Sequence, residues 1–132
     1  MNYLIDTHCI LWCISDPGKL SKNVLKILEN SSNRIVVSSI SLWEIALKIR
    51  LKKLSISGFR EELIPELLTK MNIEILDFSG EEAILFSRFE ILEHRDPFAL
   101  FLIYLSVKGN FTLISKDSVI SKLKIKGFKT IW

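Results

Sequence analysis

The sequence predicts an α/β protein with a mostly parallel sheet, and three observations predict it. Short apolar runs rich in Ile, Val and Leu recur along the chain, stretches with helical spacing separate them, and polar residues stand directly after the strand-like runs. Parallel neighbours need crossover connections, usually helices, so this alternation implies an open sheet wound on both sides and covered on both faces. At 132 residues, 48% of them apolar, one domain over residues 1–132 with one substantial core is expected.

Taken in order, Asn2 to Ile5 is the first short apolar run. A turn at Asp16-Pro17-Gly18 precedes Leu20, Val24, Ile27 and Leu28, spaced three to four apart as on a helix face, with Ser21 placed to cap it. Arg34 to Ser38, rich in Ile and Val, reads as a buried strand, and Ser41-Leu42-Trp43-Glu44 opens a helix running to about Lys52. Phe59 to Met71 reads as helical, with Pro65 marking a kink or a late first turn. Ile73 to Leu76 is a strand. Ser79-Gly80-Glu81-Glu82 starts a helix carried by Ala83, Leu85, Phe86 and Phe89. Beyond Asp96-Pro97 a strongly apolar helix runs through Val107 to a stop at Gly109-Asn110, followed by the strand Phe111 to Ile114. A short helix and the strand Lys129 to Ile131 finish the chain.

Composition excludes several classes. The most apolar stretch, Pro97 to Val107, falls well short of the roughly 20 residues that span a bilayer, so no membrane helix is expected. Met1 leads straight into a strand-like segment without a basic flank or a small-residue cleavage site, which places the protein in the cytoplasm. Cys9 and Cys13 are spaced like neighbours on one helical turn, unlike C-x-x-C redox or zinc pairs, and read as small buried hydrophobes. His8 and His94 form no ligand-spaced pair, which disfavours zinc; one reads as packed, the other as surface. A net charge of +3 fits a phosphate-bearing partner when its lysines and arginines cluster. Two runs do cluster, Lys48 to Lys53 and Lys122 to Lys126, each readable as a basic patch or as a solvated helix face or strand edge.

In open parallel sheets the ligand site lies beyond the carboxyl ends of the strands, so polar residues just past strands come first as chemical candidates. Asp6 follows Tyr3-Leu4-Ile5, and Asp117 follows Thr112-Leu113-Ile114 after two residues. Each alone could cap the next helix. Together with Glu44 they would place three negative charges in one cleft, and such a cluster repels itself unless a cation neutralises it. Oxygen-only ligands suit Mg²⁺, which keeps several waters and needs only one or two direct carboxylates. Ser41 and Glu44 also spell S-x-x-E, a capping box, and Asp96 before Pro97 reads as an N-cap before a proline at the first helical position.

The segments Leu4-Ile5-Asp6-Thr7-His8, Ser39 to Lys48, His94-Arg95-Asp96-Pro97-Phe98 and Thr112 to Asp117 resemble, in order and spacing, the VapC toxins of the PIN-domain ribonucleases. The resemblance covers essentially the whole chain and implies a three-layer α/β/α PIN-like fold. It also implies a Mg²⁺- or Mn²⁺-dependent endoribonuclease of a type II toxin–antitoxin pair, commonly a homodimer held silent by a VapB-like antitoxin. Carried over to this chain, Asp6, Glu44 and Asp117 become metal-site acids, Thr7 and Ser115 nearby hydroxyls, and Ser41 the helix cap. In relatives the H-R-D-P-F segment continues with Asp-Arg, and that Asp belongs to the metal site; here Ala99-Leu100 stand instead. Asp96, three residues earlier, is the candidate to compensate. Two functions therefore follow from the resemblance: a ribonuclease, weakened or not by Ala99, or an inactive PIN-domain protein that binds an antitoxin or RNA without cutting. Lys48, Arg50, Lys52 and Lys53 are candidate contacts to an RNA backbone. Trp12, Trp43 and Trp132 read as core or interface anchors.

Overall fold

A computed structural model describes residues 1–90 and 96–132. Five described strands form one sheet, β1 (Asn2–Ile5), β2 (Arg34–Ser38), β3 (Glu74–Leu76), β4 (Thr112–Ile114) and β5 (Lys129–Ile131). Their order is β3-β2-β1-β4-β5, and every pairing is parallel. The α/β expectation therefore holds, with a sheet parallel throughout the described residues.

Because side chains alternate across a strand, the sheet feeds two cores. Tyr3, Ile5, Ile35, Val37 and Ile114 face one layer, with Cys9, Ile10 and Cys13 of α1 (Thr7–Ser15), Val24 and Ile27 of α2 (Lys22–Glu29), Ile45 of α3 (Ser39–Arg50) and Ile64 and Leu68 of α4 (Ile64–Lys70). Leu4, Val36 and Leu113 face the other, with Leu102 and Ile103 of α6 (Pro97–Gly109) and Ile120 of α7 (Ser118–Ser121). The result is three layers, α/β/α, as the resemblance implies. A strand interior that is apolar on both faces is what a sheet buried on both sides demands.

Most elements fall where the pattern puts them. Ser21 caps α2 by accepting from the Val24 N–H, Ser79 and Glu82 close a capping box on α5 (Gly80–Leu85), and β5 keeps its expected bounds. Helix α1 is an addition, since its uniformly apolar Cys9 to Ile14 stretch gives little periodic contrast. Helix α3 starts two residues earlier than expected because Ser38, the last residue of β2, is itself the cap, accepting from the Ile40 N–H. Ser41 therefore caps nothing and lies inside the first turn, which corrects the S-x-x-E reading. Regular helix in the 59–71 segment is confined to α4, with Pro65 in its first turn; a 3₁₀ turn at Glu61–Leu63 precedes it. Both cysteines are buried.

The last turn of α6 shows two separate uses of its closing residues. Asn110 adopts the left-handed conformation, φ 54°, and returns its N–H to the Ser106 and Val107 carbonyls. Gly109 is required for space: a Cβ there would stand 2.3 Å from the Phe111 ring. That ring is part of the second core.

The Lys122 to Lys126 run is no strand edge. It is irregular chain ahead of β5, with Leu123 and Ile125 packed on the second core and the three lysines exposed.

Candidate active site

The strand order sets the position of the site. From β1 the sheet grows through β2 and β3 on one side and through β4 and β5 on the other, so the order reverses between β1 and β4. Ligand crevices form at such switch points. Asp6 and Asp117 flank this one: the Asp6 N–H extends the β1–β4 ladder to the Ile114 carbonyl at 3.1 Å, and Asp117 follows β4 after Ser115 and Lys116.

A cleft of about 300 Å³ opens there, lined by Asp6, Thr7, His8, Trp12, Glu44, Asp96, Ala99, Leu102, Lys116, Asp117 and Ile120. All four acids singled out from the sequence thus share one cleft, as does Ala99, at the position where the resemblance implies an acid.

Three of the four acids begin helices. Asp6 Oδ1 accepts from the Cys9 N–H at 2.9 Å, Asp96 Oδ1 from the Phe98 N–H at 3.0 Å, and Asp117 Oδ1 from the Val119 N–H at 2.8 Å. Capping and a place in the cleft are therefore compatible for each. The arrangement is self-consistent electrostatically, because helix N-termini carry partial positive charge that favours carboxylates beside them. Ser115 fixes the third cap: its buried hydroxyl accepts from the Asp117 N–H at 3.1 Å.

Glu44 is held differently. It is 3% exposed, one oxygen accepts from Thr7 Oγ1 at 2.6 Å, and the other accepts from Lys48 Nζ at 2.5 Å, one turn along α3. A buried carboxylate needs such a partner. Lys48, expected among the candidate RNA contacts, is committed to Glu44. This pairing is the part of the site that the sequence reading missed, although i, i+4 spacing of Glu and Lys is its ordinary signature.

Ser41 lies one turn before Glu44, fully buried, and its Oγ has no hydrogen-bond partner among the described residues. His8 is exposed at the cleft, not packed, because it occupies the outward position between buried Thr7 and Cys9. His94, together with Arg95 of the H-R-D-P-F segment, lies outside the described residues. Trp12 and Trp132 pack partly on the first core, whereas Trp43 is 57% exposed and rests against Phe98 at a ring separation of 5.5 Å.

A model of the PIN domain family matches residues 3–126. The chain belongs to the PIN-domain family. Among solved structures, this PIN-family chain is similar to VapBC2 from Rickettsia felis, whose crystal structure holds a DNA fragment from the promoter of that pair. Identity is 19%, the TM-score is 0.66, and the alignment covers 99% of this chain and 98% of that one. At that identity the likeness speaks for the fold. No curated protein matches the sequence.

PIN-domain nucleases generally use divalent metal ions, so the donor set bears on the fit of one. Among the described residues, no three Asp, Glu, His or Cys side chains converge tightly enough to ligate one ion. The four acids nevertheless offer oxygen donors, two of them stand beyond adjacent strands, and a hard cation that retains waters needs no more than one or two direct carboxylates. These carboxylates fit a loosely held divalent cation.

Proposed function

We propose that this chain is a Mg²⁺- or Mn²⁺-dependent ribonuclease, the VapC-like toxin of a type II toxin–antitoxin pair. The observation that carries the reading is the convergence of Asp6, Glu44, Asp96 and Asp117 on one cleft at the switch point of a PIN-family sheet.

In this reading Asp6 and Asp117 hold the ion, with their caps keeping both carboxylates at fixed positions before substrate arrives. When bound, the ion would polarise a phosphate oxygen and make water a better nucleophile near neutral pH. Thr7 and Lys48 hold the Glu44 carboxylate in place at the cleft, where it would orient water. Asp96 caps α6 and adds its charge at the cleft. Lys116, in the cleft wall, offsets the negative charge of an incoming phosphate. No side-chain nucleophile is needed.

A protein antitoxin is the partner that this reading calls for, and the relative from Rickettsia felis, as a VapBC pair, supports it. One observation favours a second reading. The Ala99 methyl lines the cleft where the resemblance implies a carboxylate, and a chain disabled by that loss would bind an antitoxin or RNA without cutting. Incubating the purified chain with single-stranded RNA and Mn²⁺, beside an EDTA control and the Asp6→Asn variant, separates the two. Cleavage abolished by both controls supports the nuclease, whereas RNA left intact by the wild-type chain supports the binder.

A further inference from the structure

One wall of the cleft is neither acidic nor plainly apolar. Trp12 lines it from α1 together with His8 and Lys116. The Lys116 ammonium lies 5.8 Å from the centre of the Trp12 ring and 5.9 Å from that of Trp132, and the two indoles meet edge-on at 5.7 Å. His8 tilts against Trp12 at 6.2 Å and 45°. A cation within about 6 Å of an indole face is attracted by the ring quadrupole, so Lys116 is tethered to the aromatic pair while remaining exposed.

The placement distinguishes Trp12 from a core residue. Leu102 and Ile120, which also line the cleft, are buried, whereas Trp12 packs only part of its surface against the core. Packing alone would be served by an aliphatic side chain. A flat π-surface held by a second indole, with a tethered ammonium two positions from Ile114 and next to Asp117, matches a nucleotide in chemistry: a base has a π-face, and its phosphate is an anion.

We propose that Trp12, braced by Trp132 and Lys116, is the stacking platform for an unpaired base of single-stranded RNA adjacent to the phosphate in the acidic cleft. The proposal rests on the ribonuclease reading for the identity of its ligand. It assigns Trp12 a binding role and Lys116 a positioning role, and it makes recognition tolerant of base identity, because every base offers a π-face. Paired RNA, whose bases are already stacked, would be excluded.

The test is a binding measurement that needs no cleavage. Fluorescently labelled 2′-O-methyl RNA hexamers, one with all bases and one with abasic sites, are titrated with the full chain in Ca²⁺. Both carry the same phosphates, so a difference between them reports the bases. The wild-type chain should prefer the base-bearing hexamer about tenfold, Trp12→Leu should erase the preference, and Trp12→Phe should keep most of it. Lys116→Gln should weaken the preference in part, whereas Lys124→Gln, outside the cleft, should leave it unchanged. Equal affinity of the wild-type chain for the two hexamers, absence of binding to either, or a preference that survives Trp12→Leu would overturn the proposal. A chain that shows the preference yet cuts no RNA in Mn²⁺ retains the platform and loses the nuclease, so the two failures are distinguishable.

Discussion

Lys48 donates to Glu44 Oε2 at 2.5 Å from one helical turn away, while Thr7 donates to Oε1 of the same carboxylate at 2.6 Å. The site therefore carries its own cation. Among the described residues, Lys48 and Lys116 supply positive charge beside the four carboxylates that line the cleft, before any metal is considered.

Removing Lys48 leaves Glu44 buried with a single hydroxyl partner, and that is costly. The Lys48→Met variant should lose about 1–2 kcal/mol of stability, less than the ~3–5 kcal/mol of a fully buried pair, because solvent screens the Lys48 ammonium. At 37% side-chain exposure that lysine is well within reach of water. Urea denaturation of the single variant and of the Lys48→Met/Glu44→Gln double variant measures it. Recovery in the double variant is expected, and an unchanged midpoint in the single one would show the pair to be inconsequential.

Ala99 offers the complementary experiment. Its side chain lines the cleft with Asp96 and Asp117, so Ala99→Asp should add a carboxylate where the cation is expected. Mn²⁺ affinity and the rate of RNA cleavage should both rise about tenfold or more. Titration calorimetry and a cleavage time course provide the two readouts; if neither changes, Ala99 is not what limits this site.

Both thiols make a prediction about alkaline pH. Burial first, then the Asp6 charge, pushes the Cys13 thiol from 9.0 up to about 11, and Cys9 is raised further by the same two causes in the same order. A group whose pKa is raised by folding contributes stability that is complete below its unfolded value and lost as pH climbs through the folded one. The chain should therefore lose stability from about pH 9 upward, the Cys13 share of the loss being complete by about pH 11 and the Cys9 share still growing beyond it. The Cys9→Ala/Cys13→Ala variant should show a flatter profile over that window in denaturant titrations, and parallel profiles would contradict the assignment.

How far the sequence could be read depended on whether local pattern or tertiary position decided the outcome. Strand β2 and helix α2 were legible because Ile35 to Val37 and the Leu20, Val24, Ile27 spacing are periodic on their own. The place of Asp6 and Asp117 in the cleft was legible too, since a carboxylate just beyond a strand occupies the ligand end of a parallel sheet. Helix α1 escaped because its apolar residues run without a polar interval. Ser41 was misassigned because two serines three apart, Ser38 and Ser41, both precede helical residues, and only the abrupt passage from β2 into α3 selects Ser38. The Glu44–Lys48 pair shows the same limit: its spacing is visible in sequence, but its burial depends on Thr7, 37 positions earlier.

Charge removed without loss of fold tests the central claim most directly. Asn caps helices about as well as Asp, so Asp6→Asn and Asp117→Asn should keep the α1 and α7 caps while deleting the charges. With circular dichroism confirming that both variants fold, Mn²⁺-dependent cleavage of single-stranded RNA should be measurable for the wild-type chain and lost in each variant. Variants that are folded and cut RNA at the wild-type rate would contradict the account.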